Sequence, residues 1–136
     1  MKYMIILSGS QQHYDSMAGK DNDFPTWSPE ELDAMFAFMN DLNADLESRG
    51  ELVDGQGLAE PALTRRVELK DGETVVTDGP YAESKEVLAG YWLVDVDGID
   101  RATEIAAHVL TCPGPEGATE PPIDIRPVQE AAPDEA

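Results

Sequence analysis

With 136 residues, the chain suits a single domain that buries a modest hydrophobic core. Its 28 acidic residues outnumber 9 basic ones, and the net charge of −19 would repel nucleic acids and anionic membranes. The only cysteine, Cys112, excludes an internal disulfide and favours a reducing compartment, so we expect a soluble cytoplasmic protein. A reactive role for this lone thiol is less favoured than a structural role as a small buried apolar side chain.

The N-terminal run from Lys2 to Leu7 predicts a central strand, because it is apolar without clean alternation. It is too short for the core of a signal peptide or for a membrane span. Residues 8–27 mix Gly, Gln, Asp, Asn and Pro without periodicity, which predicts a long surface loop. His13 lies in this segment without a visible partner, so an idle exposed side chain is favoured over a general base.

A long helix should begin at Pro29, because Ser28 can cap it and Glu31 can close a capping box. Arg49-Gly50 indicates its end. Apolar residues recur at spacings of three and four, which predicts one continuous stripe that belongs to the core. The stripe consists of Leu32, Met35, Phe36, Met39, Leu42 and Leu46.

Residues 52–58 predict a weak strand, since Gly55 and Gly57 lower its propensity. These glycines leave room for a ligand or partner, although a bulged strand is the favoured explanation.

The clearest hairpin signal of the chain covers residues 65–77, with Asp71-Gly72 as a two-residue turn. Counting outward from this turn places Arg65 opposite Asp78, on the face that carries the apolar residues of both strands. The register therefore predicts an ion pair at the end of an apolar surface.

The segment from Asp78 to Tyr91, D-G-P-Y-A-E-S-K-E-V-L-A-G-Y, resembles the signature of the DGPF subgroup of the YCII-related family. The first strand, M-K-Y-M-I-I-L, and the late segment I-D-I-R-P-V are also similar, so the resemblance covers most of residues 1–128. It implies an α+β fold, a ferredoxin-like dimeric α+β barrel, here with an added β-hairpin. Tyr81 replaces the usual Phe, residues 9–27 are longer than typical, and the residues after Glu130 have no counterpart.

Relatives in the wider family are thought to use a His and Asp pair as an active site, with the His near the first strand, where this chain has none. The residues offer another hypothesis, in which Asp78 acts as a general acid or base at the mouth of a dimer cleft. The side chains that would orient a small polar substrate are Arg65, Tyr81, Glu83, Lys85 and Glu86. The alternative is a purely structural role, in which Asp78 only caps the turn or pairs with Arg65 and the other charged side chains are solvated.

Residues 89–96 predict a strand that is apolar on both faces, with Trp92 and Val94 on one side and Tyr91 and Leu93 on the other. A ferredoxin-like sheet carries helices on one face only. We therefore expect a homodimer in which a second copy covers the other face.

A second helix should follow, because Asp97 and Asp100 stand at capping-box spacing. Its inner stripe would be Ile99, Ala102, Ala106 and Val109, which leaves His108 on the solvated side. Residues 121–127 alternate like a strand whose prolines suit only an edge. The acidic segment 129–136 should form a disordered tail beyond the domain of residues 1–128.

No standard reaction motif is present, whether a phosphate loop, a cysteine cluster or a histidine pair at metal spacing, so we expect neither metal nor cofactor. Two functions remain open. One is a binding or regulatory module whose dimer cleft near Asp78 holds a small molecule or docks a protein; some relatives occur joined to, or encoded beside, sigma-factor-like proteins. The other is a cofactor-independent enzyme that uses Asp78. The binding module is favoured, because Asp78 lacks an evident proton partner.

Overall fold

The computed structural model describes residues 1–118 and 120–130. Most of the predicted acidic tail, residues 131–136, lies outside the described residues. In chain order, the helices are α1 (Gln11–Met17), α2 (Pro29–Ser48) and α3 (Ile99–Val109). The strands are β1 (Lys2–Gly9), β2 (Leu52–Gly57), β3 (Arg65–Lys70), β4 (Glu73–Asp78), β5 (Val87–Asp95) and β6 (Asp124–Pro127), and a 3-10 turn spans Pro61–Leu63.

The main sheet has the antiparallel order β2-β5-β1-β6, which with α2 and α3 gives the predicted α+β, ferredoxin-like fold. β1 is central, as its unbroken apolar run predicts, and β6 is the predicted edge strand. The core lies between the sheet and the two long helices. Its fully buried side chains include Ile5, Leu46, Val94 and Ile105.

Helix α2 confirms the local signals at both of its ends. Ser28 Oγ accepts from the backbone N–H of Glu31 at 3.1 Å, and Glu31 Oε1 accepts from the backbone N–H of Ser28 at 2.9 Å. The stripe is less uniform than predicted, because Met35, Leu42 and Leu46 are buried while Phe36 is 56% exposed. Phe36 faces a cavity rather than the packed core.

The hairpin β3–β4 forms a separate two-stranded sheet, and its predicted register is confirmed: Arg65 pairs with Asp78. Asp71 and Gly72 both have positive φ, 51° and 79°, as a two-residue turn that matches strand twist requires. Its apolar face stays uncovered within the chain, because Val67 and Leu69 are 62% and 77% exposed.

Two sequence predictions are wrong. Residues 8–27 are not one loop, because β1 runs to Gly9 and α1 follows directly. The predicted capping box of α3 does not form either: Gly98 occupies the N-cap position and no side chain caps the helix. Ile99, which was predicted on the inner stripe, is 46% exposed, while Ile105 is buried.

Candidate functional site: an aromatic-lined cavity

A cavity of about 520 Å³ lies between α1, α2, the strands β2 and β5, and the later residues Cys112, Ala118, Glu120 and Pro121. Its walls are mainly apolar. The aromatic residues that line it are His13, Tyr14, Phe24, Trp27, Phe36, Tyr91 and Trp92. Few polar groups interrupt this surface, which is the usual composition of a small-molecule pocket.

Helix α1 forms one wall, and a reciprocal cap fixes its start. The backbone N–H of Ser10 donates to His13 Nδ1 at 3.0 Å, and the backbone N–H of His13 donates to Ser10 Oγ at 3.3 Å. The imidazole stacks on Phe24, with ring centroids 4.3 Å apart. The buried Ser16 ties the returning chain to the helix, since its carbonyl accepts from the backbone N–H of Trp27 at 3.0 Å.

Glycines on the paired strands β2 and β5 leave room in one wall of the cavity. Gly55, Gly57 and Gly90 all line it, and Gly57 is the register partner of Gly90. A Cβ on Gly90 would lie 2.9 Å from the carbonyl oxygen of Gln56, so this close strand approach requires glycine. β2 also carries the bulge that the sequence favoured, between Leu52 and Asp54.

Polar groups in the walls bond mainly to other protein groups. Trp92 Nε1 donates to Asn43 Oδ1 at 2.6 Å. The Tyr14 hydroxyl donates to the carbonyl of Leu58 at 2.9 Å, and burial raises the pKa of this phenol. These contacts hold the rings in place and favour a preformed cavity.

Cys112 and Glu120 lie at the C-terminal side of the cavity. Burial, and to a lesser degree the charge of Glu120, raises the pKa of the Cys112 thiol to about 11. The thiol is therefore protonated near neutral pH and suits an inert wall, as the sequence favoured. Burial also raises the pKa of Glu120, although this residue lies at the rim and stays largely exposed.

The sequence-predicted site forms only in part. Arg65 Nε and Nη2 donate to Asp78 Oδ1 and Oδ2 at 2.7 and 3.2 Å, which confirms the predicted ion pair. The hydrogen bond to Asp78 raises the pKa of Arg65. Both side chains are about two-thirds exposed, at 65% and 68%. Within one chain Asp78 is therefore not desolvated, and its catalytic role stays a prediction.

The other predicted site residues surround the loop that follows β4. The ring of Tyr81 lies 5.2 Å from the guanidinium of Arg66, while Glu83, Lys85 and Glu86 are exposed. None of the six predicted site residues lines the cavity.

The loop instead supports α1, because the carbonyl of Glu83 accepts from the backbone N–H of Gln12 at 3.2 Å. A second hydrogen bond links α1 to the 3-10 turn, since Gln11 Oε1 accepts from the backbone N–H of Ala62 at 2.8 Å. The signature stretch thus holds one wall of the cavity without entering it.

The sequence missed α1 and with it the cavity. The available signals were Ser10 three residues before His13 and the aromatic residues, including Phe24 and Trp27, within a supposed loop. The structure also places His13 one turn after β1, so a histidine does lie close to the first strand.

Within residues 1–118 and 120–130, no group of three or more His, Cys, Asp or Glu side chains is placed to hold a metal ion. No helix in the described part of the chain is long and apolar enough to cross a membrane.

Comparison with known proteins gives a family match and a relative. The model of the YCII-related domain matches residues 1–113. An uncharacterized protein of Rhizobium meliloti (strain 1021) is 31% identical over 80 residues, which are 59% of this chain and 64% of that protein. The match thus spans slightly less than two thirds of the relative.

Proposed function

Because the chain belongs to the YCII-related family and has its ferredoxin-like fold, we propose that it binds a small, largely apolar molecule in the cavity beside α1. The observation that carries this proposal is the cavity itself, with a volume of about 520 Å³ and walls rich in aromatic rings. Small-molecule sites typically have volumes of roughly 300–1,000 Å³. Fold alone would not decide the function, because ferredoxin-like domains serve many roles.

Burial of a ligand against the apolar walls can supply much of its binding free energy. A ligand that buries about 300 Å² of apolar surface gains about 7.5 kcal/mol from the hydrophobic effect, before the costs of association. A preformed cavity lowers those costs, because the rings of Trp92 and Tyr14 are already fixed by hydrogen bonds. We expect affinities in the micromolar range.

A binding or regulatory role fits this cavity better than catalysis. Its Cys112 is a protonated thiol, and Tyr14 is bonded to a backbone carbonyl. Catalysis by Asp78 needs a desolvated carboxylate with a proton partner, whereas here both carboxylate oxygens accept from Arg65. The Asp78-Gly79-Pro80-Tyr81 motif supports placing the chain in the DGPF subgroup, and the single free cysteine supports a cytoplasmic location.

The same proposal includes a homodimer. On the sheet face opposite the helices, Met4, Ile6 and Leu93 are only half-buried, and Val53 is 47% exposed. A second copy packed against this face would bury these side chains.

Titration with N-phenyl-1-naphthylamine, a neutral apolar fluorophore excited directly, tests the binding site. Met39→Trp should fill the cavity and weaken binding by at least about tenfold. The matched control is Ala37→Trp, at an exposed position of α2 that does not line the cavity, and it should bind like wild type. A wild-type protein that leaves the fluorophore unbound, or a Met39→Trp variant with unchanged affinity, would contradict the proposal.

A further inference from the structure

Apart from histidine, the ionisable side chains that line the cavity include an acid but no strong base. Glu120 lines it, but no Lys or Arg does. Within the described part of the chain, Glu120 forms no ion pair at 4.0 Å or less, so no basic side chain there neutralises its carboxylate. The whole chain adds a net charge of −19, which attracts cations toward the mouth and repels anions.

His13 uses one ring nitrogen in the cap of α1. Its Nδ1 accepts a hydrogen bond from the backbone N–H of Ser10 at 3.0 Å. A nitrogen that accepts this bond keeps its lone pair, which favours the tautomer with the proton on Nε2. A proton on Nδ1 would remove this hydrogen bond from the capping box of α1.

Several neutral donors in the walls are already used. The Tyr14 hydroxyl donates to Leu58, Trp92 Nε1 to Asn43, and Ser16 Oγ to the carbonyl of Gln12. An anionic ligand would meet no Lys or Arg side chain, and burying its unpaired charge would be costly. A cation would meet a carboxylate and several aromatic rings, and the faces of such rings attract positive charge.

We propose that the ligand is a hydrophobic amine or quaternary ammonium compound whose charge lies beside Glu120 and whose apolar part lies among Trp27, Phe36 and Trp92. This inference rests on the proposed small-molecule function and names its ligand class. The raised pKa of Glu120 agrees with it, because a carboxylate beside apolar groups gains from a neighbouring cation.

Three ligands of similar size and different charge provide the test: 4-phenylbutylamine, 4-phenylbutanol and 4-phenylbutyrate. Each is used to displace N-phenyl-1-naphthylamine from the full chain at low salt. The amine should bind about tenfold more tightly than the alcohol, and the carboxylate should bind most weakly. Added salt should reduce the preference for the amine, because screening weakens charge attraction at the rim.

Glu120→Gln should abolish the preference for the amine and leave the affinity for the alcohol unchanged. Glu116→Gln is the matched control, because this substitution removes the same charge at an exposed residue outside the cavity lining. If the alcohol binds as tightly as the amine, or if Glu120→Gln keeps the preference, the ligand class is wrong while the cavity remains a binding site. If neither the fluorophore nor any of the three ligands binds, the proposed function itself fails.

Discussion

Arg65–Asp78 and Arg101–Glu51 are both bidentate pairs, but their surroundings differ. The first pair is about two-thirds exposed on the hairpin. In the second, Arg101 and Glu51 are only 29% and 16% exposed, with donor–acceptor distances of 2.8 and 2.9 Å. Arg101 lies on α3 and Glu51 directly before β2, so this pair links a helix to the edge of the sheet. We expect the second pair to contribute more to stability.

The Arg101–Glu51 pair predicts a specific dependence of stability on pH. The hydrogen bond from Arg101 lowers the pKa of Glu51 below its ordinary value of 4.5. The stabilisation is therefore complete above that value and is lost as the pH falls through the lower folded value. Arg101→Gln should lower the free energy of unfolding in urea at about pH 7, and the difference from wild type should shrink at about pH 3.

Lys85→Gln, which removes an exposed cation outside any described ion pair, is the control and should change little at either pH. A deficit of Arg101→Gln that stays constant or grows toward acid would contradict the assignment.

Local sequence signals identified some elements and not others. α2 was predictable because the Ser28 cap, the apolar stripe and the Gly50 stop all act within the segment itself. The hairpin register followed from Asp71-Gly72 for the same reason. α1 has 7 residues, no apolar stripe and a histidine where a capping box usually has Glu or Gln. Contacts with residues distant in sequence stabilise α1, so the helix could not be predicted from its own segment.

The close pairing of β2 with β5 gives a prediction at the level of elements. Gly90→Ala would push its methyl group against the carbonyl of Gln56 and destabilise the fold by about 1–3 kcal/mol. Gly57→Ala, at the paired position, meets nothing within 4 Å and should be neutral or slightly stabilising. Urea unfolding of both variants checks the difference, and equal stabilities would show that the two strands have room to separate.

At the level of the whole molecule, the fold was predictable and the cavity was not. The ferredoxin-like fold was expected from the family resemblance, while patterns within single stretches of sequence indicated β1, α2, the hairpin and β5. The cavity combines α1, α2 and β5 with Cys112, Ala118, Glu120 and Pro121, which are distant in the chain. Gly55 and Gly57 hinted at space for a ligand, but only the assembled structure shows which side chains surround that space.

The proposed homodimer predicts a mass of two chains in light scattering. A stable interface buries about 1,600 Å² in total, and the exposed sheet face would supply much of its apolar part. Leu93→Lys should place a charge in that interface and give a folded monomer, shown by half the mass with an unchanged circular dichroism spectrum. Leu110→Lys, at an exposed position after α3, should remain dimeric. A wild-type monomer at all concentrations would exclude the dimer.

The most direct test of the proposed cavity uses the two tryptophans of the chain, Trp27 and Trp92, which both line it. Their indole N–H signals can be followed in proton–nitrogen correlation spectra while N-phenyl-1-naphthylamine is added. If the cavity is the binding site, both indole signals shift along one saturating curve, and the amides of residues 65–78 do not shift. Unshifted indoles together with shifts around Asp78 would contradict this account and place the ligand at the hairpin instead.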